Sequence, residues 1–245
     1  MKRKPRIYVI KVNRRKLLIS TIIIVLIGMT AILKKQRIIH IFNPKSQQTI
    51  VIDPGHGGID GGTGDRNDIL EKDINLDVGL KLKKELLVEG FDVIMTREDD
   101  VSLENLSSIN ASRYRRDLDA RKNIINENDP LAFISIHVNS SKKTSVKGIK
   151  VYHFPNSVEG EKLAKSIAES VDIYVYDKFL KDTSLRAEIL SENFYILRET
   201  KHTGVLVEVG FITNPEENKL MKNRKYKEKV AFAIKKGILE YLSQD

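Results

Sequence analysis

The 245-residue chain contains no cysteine. That excludes disulfides and thiolate metal ligands, so any transition-metal site must be built from histidine and carboxylate. Histidine is itself scarce: His40, His56, His137, His153 and His202 complete the set. Acidic residues are missing altogether from residues 1–37, which carry 11 lysines and arginines. Taking those 11 from the 42 basic residues of the whole chain leaves 31, against 33 acidic ones. The formal charge of +9 therefore belongs to the amino-terminal segment. Residues 38–245 lack the basic excess that a nucleic-acid-binding face requires, and no nucleic-acid partner is expected. Internal repeats and low-complexity tracts are lacking too, and the length allows one or two domains.

The longest stretch without a charge is Leu17–Leu33, LLISTIIIVLIGMTAIL. At about 1.5 Å per residue its 17 residues span about 26 Å, near the lower limit for a hydrocarbon core of about 30 Å. Eight basic residues precede it and three follow, a bias that keeps the amino terminus in the cytoplasm and sends the rest outside. A buried core helix and a cleaved signal peptide are the competing readings. The eleven flanking cations oppose the first, and Lys34-Lys35 stands where a cleavage site needs small residues. The expected organisation is a basic cytoplasmic segment (1–16), one transmembrane anchor (17–33), a linker (34–48) and an extracytoplasmic catalytic domain (49–245).

Residues 49–245 alternate between two periodicities. Strands are expected at Thr49–Asp53, Phe91–Thr96, Ala132–His137, Gly148–Phe154, Phe194–Leu197 and Gly204–Val209. Helices are expected over 69–89 (stripe Leu76, Leu80, Leu87, flanked by Leu82 and Leu86), 117–127 and 158–178. Another is expected from Asn214-Pro215, and a last one on Val230, Ile234, Ile238 and Leu242. Residues 98–116 read as a polar excursion at the rim. Strands alternating with helices predict an α/β fold: one domain with a mostly parallel twisted sheet covered by helices on both faces. Ligands of such sheets bind outside the carboxyl ends of the strands.

Four residues carry chemistry at those ends. His56 follows the first strand in Asp53-Pro54-Gly55-His56-Gly57-Gly58, where glycines let the backbone turn sharply. It is either an incidental residue of a glycine-rich turn or a ligand; neither phosphate-loop spacing can be laid on these glycines. Glu71 opens the next helix, and Asp68-Ile69-Leu70-Glu71 reads equally as a capping box. His137 ends the strand AFISIH, as a core histidine or as part of the crevice. Glu208 interrupts the apolar run Gly204-Val-Leu-Val-Glu-Val-Gly-Phe211, and a buried carboxylate there requires a metal, a cation or a donor. Together, two histidines and one glutamate leave a zinc position open for water, and a second glutamate can take the water's proton.

The blocks DPGHGG, EKDINL (Glu71–Leu76), SIHVNS (Ser135–Ser140) and VEVGFITN (Val207–Asn214) resemble the signatures of the zinc-dependent N-acetylmuramoyl-L-alanine amidases, the Amidase_3 type. The resemblance runs from about Thr49 to Leu242. It implies zinc ligands at His56, Glu71 and His137, a catalytic Glu208, and peptidoglycan glycan strands as the substrate. The reaction it implies is hydrolysis of the amide between N-acetylmuramic acid and L-alanine. DGG (Asp60–Gly62), ILEKD, IMTREDD (Ile94–Asp100) and the single-anchor design are most similar to the sporulation-specific cortex amidases of the CwlD type. That implies cortex maturation, muramic lactam formation and action in the forespore intermembrane space. The family pattern has proline shortly before the last strand, where this chain has His202-Thr203-Gly204. Arg198, in the family-like Ile196-Leu197-Arg198, is a candidate support for the site. With no long autoinhibitory insertion and no repeated wall-binding domain in the sequence, targeting falls to the anchor and any accessory protein. A zinc peptidase working within the stem peptide and a non-catalytic, membrane-tethered wall-binding protein are the rival readings.

Overall fold

In a computed structural model the chain divides into two compact units, Met1–Gln47 and Gln48–Asp245. The described residues are Arg15, 48–64 and 69–244. The apolar segment 17–33 and the linker expected at 34–48 thus lie outside them, apart from Gln48. Among the described residues no helix is long and apolar enough to cross a membrane.

The second unit is built on six strands: β1 (Thr49–Pro54), β2 (Asp92–Met95), β3 (Ala132–Asn139), β4 (Lys150–His153), β5 (Glu188–Ser191) and β6 (Gly204–Phe211). Their order is β2-β1-β3-β6-β4-β5. All pairings are parallel except β4 with β6. β1 and β3 are buried along nearly their whole length, which is why both read as mainly apolar runs, broken by polar residues towards the carboxyl end on one face of the sheet.

Side-chain alternation divides the sheet into two unlike faces. Ile50, Ile52, Ile134, Ile136, Val205 and Val207 enter the main core, under α1 (Glu71–Glu89), α3 (Val158–Val171) and α6 (Arg224–Leu242). Val51, Phe133 and Leu206 point the other way, into a small cluster under α2 (Arg113–Glu127) and α4 (Tyr195–Glu199). Each fully buried Val or Ile of these faces contributes roughly 1.5–3 kcal/mol relative to exposure. Following the same alternation two residues on, Asp53, Ser135, His137 and Glu208 fall on the small-cluster side, at the carboxyl end of the sheet. α5 (Pro215–Lys222) starts as its sequence predicts, with the Asn214 side chain accepting from the backbone N–H groups of Glu216 (3.0 Å) and Glu217 (3.1 Å).

Several expectations are corrected. Phe194–Leu197 is not a strand. Ile196 and Leu197 are both buried in the same small cluster, which consecutive strand residues cannot do, and the chain forms the short helix α4. The buried stripe of α1 is Ile74, Val78, Leu82 and Leu86, not the one centred on Leu76, Leu80 and Leu87. Leu76 and Leu80 pack at the margin of the core, and Leu87 is 49 % exposed. Asp68, the cap expected of a capping box, lies outside the described residues; α1 starts at Glu71 with Leu70 as its cap, where no side chain bonds among the described residues. The helix of 158–178 ends α-helical at Val171 and continues as a π-helix over Asp172–Leu180. β5, largely exposed at the sheet edge, has no apolar pattern to announce it.

Candidate active site

β1 ends at Pro54, and the backbone turns at once through Gly55 and His56. Gly55 is required here: a Cβ would stand 2.2 Å from the His137 ring. His56 itself holds φ 62°, a left-handed conformation that persists in a non-glycine residue only where its surroundings enforce it. Two almost fully buried arginines supply that enforcement. Arg97 donates to the carbonyls of Pro54 (2.9 Å), Gly55 (2.9 Å) and Lys72 (2.8 Å). Arg121 donates to the carbonyls of Pro54 (2.8 Å) and His56 (2.6 Å). Asp53 neutralises Arg121 at 2.8 Å and also accepts from Thr96 (2.7 Å) and Ser135 (2.8 Å). Burial pushes the Asp53 carboxyl up, but Arg121 and Thr96 outweigh it and hold the carboxyl below its usual range. Removing one member of such a buried pair costs about 3–5 kcal/mol.

The turn delivers His56 to Glu71. His56 Nε2 lies 3.2 Å and His137 Nδ1 2.9 Å from Glu71 Oε1. The two imidazole rings meet edge to face, with centroids 5.1 Å apart. Glu71 is held from the backbone: Oε1 accepts from Val138 N–H (3.0 Å) and Oε2 from Thr63 N–H (2.8 Å). Its carboxylate does not turn back to cap its own helix. On the far side of His56, Nδ1 meets Asp60 Oδ2 at 2.7 Å, which fixes the ring and leaves Nε2 facing inward.

The electrostatics describe a centre that holds negative charge in a dry place. Burial pushes Glu71 up, but its bonds to His137 and His56 reverse this and hold its carboxyl far below the ordinary range. Burial pulls His56 down, but Glu71 and Asp60 prevail and raise it from 6.5 to about 9. Glu208 behaves oppositely. It lies beside His137 in the β3–β6 register, and its Oε2 is buried with no hydrogen-bond partner among the described residues. Burial raises its pKa to about 7, with Glu71 adding to the rise and His137 opposing it.

The donors fit a metal ion. One ligand atom each from His56, Glu71 and His137 lies within 4.8 Å of the others. Donors about 2.0–2.2 Å from a tetrahedral zinc need mutual separations of roughly 3.3–3.6 Å, which small side-chain adjustments reach from here. Two nitrogens and a carboxylate oxygen, with no thiolate, are the donor set of an open site rather than a closed structural one. The unpartnered Oε2 of Glu208 beside them is available to accept a proton, as a general base must.

The four residues singled out from the sequence thus meet at the carboxyl end of the sheet. Arg198 does not join them: it is exposed, bonding Asn193 (3.0 Å) and Glu199 (2.8 Å) and flanking Tyr195. The sequence reading passed over Asp60, Arg97 and Arg121. Asp60 and Arg97 stand inside motifs quoted for the resemblance, but only their contacts disclose what they hold in place.

The family description "N-acetylmuramoyl-L-alanine amidase" matches residues 50–240. The germination-specific N-acetylmuramoyl-L-alanine amidase of Bacillus subtilis is 36% identical over 202 residues, 82% of each chain. A probable cell wall amidase of Staphylococcus aureus, LytH, is 32% identical over 82% of this chain and 60% of its own length. Among solved structures, the CwlD amidase of Clostridioides difficile, in complex with the GerS lipoprotein, superposes with a TM-score of 0.73. It is 36% identical over 81% of this chain and all of that one.

Proposed function

The chain belongs to the N-acetylmuramoyl-L-alanine amidase family, and we propose that His56, Glu71 and His137 hold a zinc ion while Glu208 is its general base. The reaction is hydrolysis of the amide between the lactyl carbonyl of N-acetylmuramic acid and L-alanine of the stem peptide. The observation that carries this reading is the pairing of a three-donor cluster with a neighbouring carboxylate, that of Glu208, whose buried Oε2 has no hydrogen-bond partner among the described residues.

When bound, the ion supplies Lewis acidity and lowers the pKa of water from about 15.7 towards about 7. The chain's own residues do the rest. His56 is aimed by Asp60, and Glu71 is fixed by two backbone N–H groups. Glu208, raised towards neutrality by burial, accepts the proton of the attacking water and returns it to the leaving amine of L-alanine. Mass spectrometry of digested peptidoglycan tests the assignment. Peptide-free muramic acid and intact stem peptides are expected; peptides cut internally would identify a stem peptidase instead.

The likeness to germination-specific and CwlD amidases supports a role in spore cortex maturation, upstream of muramic lactam formation. The GerS lipoprotein in the CwlD structure supports an accessory protein for this chain as well. A cell-wall substrate requires action outside the cytoplasmic membrane. Single-pass anchoring through residues 17–33 rests on their apolarity and on the eight cations before them against three after. Protease added to intact protoplasts should digest the catalytic unit; protection until lysis would reverse the orientation.

A further inference from the structure

Tyr114 is the only exposed aromatic side chain among the described residues, with 61 % of its surface open to solvent. The other described tyrosines and phenylalanines are buried or half-buried. Tyr114 is also not on an arbitrary stretch of surface. It lines the pocket that contains His56, Asp60 and His137.

Its backbone is fixed although its ring is free. Tyr114 is the second residue of α2, whose first turn is capped by Ser112 accepting from Arg115 N–H at 3.3 Å. Two turns on, Arg121 of the same helix ties α2 to Asp53 and to the His56 carbonyl. The helix therefore presents Tyr114 to the pocket at a set position. Among the described residues no hydrogen bond is made by the phenol hydroxyl, and most of the side chain is open to solvent. Around Tyr114 the pocket is lined mainly by polar groups, Asp60, Asp117 and His56, with Leu118 and Ile196 as its aliphatic members.

An exposed, rigidly mounted ring at a pocket mouth suits a ligand with one flat C–H face and a polar rim. A pyranose has that shape; a charged peptide stem does not. On the amidase reading, on which this inference rests, the only pyranose close to the scissile amide is the muramic acid carrying the lactyl group. We propose that Tyr114 is a substrate-positioning residue whose ring stacks against the muramic acid pyranose, on the acyl side of the bond to be cut. The donor cluster then receives the lactyl carbonyl from a sugar already held in place.

Equilibrium binding tests this without relying on turnover. The full chain is titrated by NMR with a peptide-free N-acetylglucosaminyl–N-acetylmuramic acid disaccharide and, separately, with the peptide L-alanyl-D-isoglutamine. Aromatic contacts of this kind correspond to about two- to tenfold in affinity. Tyr114→Ala should weaken disaccharide binding by that factor and peptide binding by much less, and Tyr114→Phe should recover most of the loss. Equal affinity of wild type and Tyr114→Ala for the disaccharide overturns the proposal. So does an equal loss for sugar and peptide, or a Phe variant as weak as the Ala variant. Muropeptide hydrolysis by the wild type is measured in parallel. Its absence would count against the amidase reading, whereas the binding series judges Tyr114 whichever way that falls.

Discussion

Glu208→Gln should lower turnover on muropeptides by about 10²–10⁴-fold, the usual contribution of general acid–base catalysis, while zinc content stays near one per chain. The substitution keeps the size and shape of the side chain and removes only its ability to take a proton. The proposed ligands His56, Glu71 and His137 are untouched, so water activation and oxyanion stabilisation should persist and activity should fall without vanishing. The stability of the metal-free protein supplies a second readout. Burial lifts the Glu208 carboxyl from 4.5 to about 7 in the folded state. Between those values the folded protein binds this proton and the unfolded chain does not. The Glu208 contribution to the stability of the metal-free wild type therefore declines as pH rises through that window, and that decline is complete above about 7. Glutamine carries no such charge. The variant should melt higher than wild type at pH 8, with the difference gone near pH 4. Had Glu208 served only to satisfy a core partner, the pattern would reverse, with lower stability and preserved turnover per folded molecule. Unchanged turnover removes Glu208 from the mechanism.

The sheet and the meeting of the candidate residues at its carboxyl end are legible in the sequence because both are local. β1, β3 and β6 are short apolar runs, and a carboxylate inside one of them, at Glu208, stands out against its neighbours. His56 and His137 were marked by lying at the ends of such runs. The supports were not legible, because they act across the chain. Arg121 and Asp53 are 68 residues apart and Arg97 and Pro54 are 43 apart, so nothing adjacent in sequence couples them. Local rules also misdirected where tertiary contacts had a stronger use for a residue. Glu71 fits a capping box, yet its carboxylate bonds Thr63 and Val138, which bring it to the two histidines. Ile196 and Leu197 look like strand residues, yet both bury on one face, and only a helical turn allows that. The apolar stripe of α1 was placed on its leucines, while Ile74 and Val78 share the core with Leu82 and Leu86.

His56→Ala and His137→Ala should each abolish zinc binding, and activity with it, while far-UV circular dichroism shows the fold retained. Three donors within 4.8 Å make a chelating site, and two of them leave zinc exchangeable with bulk solvent. The fold should survive because neither ring belongs to the hydrophobic clusters that hold the sheet. The Asp53, Arg97 and Arg121 network that shapes the turn keeps every partner in both variants, because it bonds no histidine side chain; what is lost is each ring's contact with Glu71, with the other ring and, for His56, with Asp60. Asp60→Asn should behave differently. It keeps all three donors but weakens the carboxylate that aims His56, and changes to such outer partners typically cost about 10–100-fold in metal affinity. Zinc measured after dialysis against graded chelator should therefore fall in steps: wild type tightest, Asp60→Asn intermediate, both histidine variants empty. A merely structural pair of histidines predicts no such order, because loss of packing would track melting temperature instead of the donor count. Full zinc occupancy in both alanine variants would refute the ligand assignment, and an Asp60→Asn protein as empty as they are would make Asp60 a ligand in its own right.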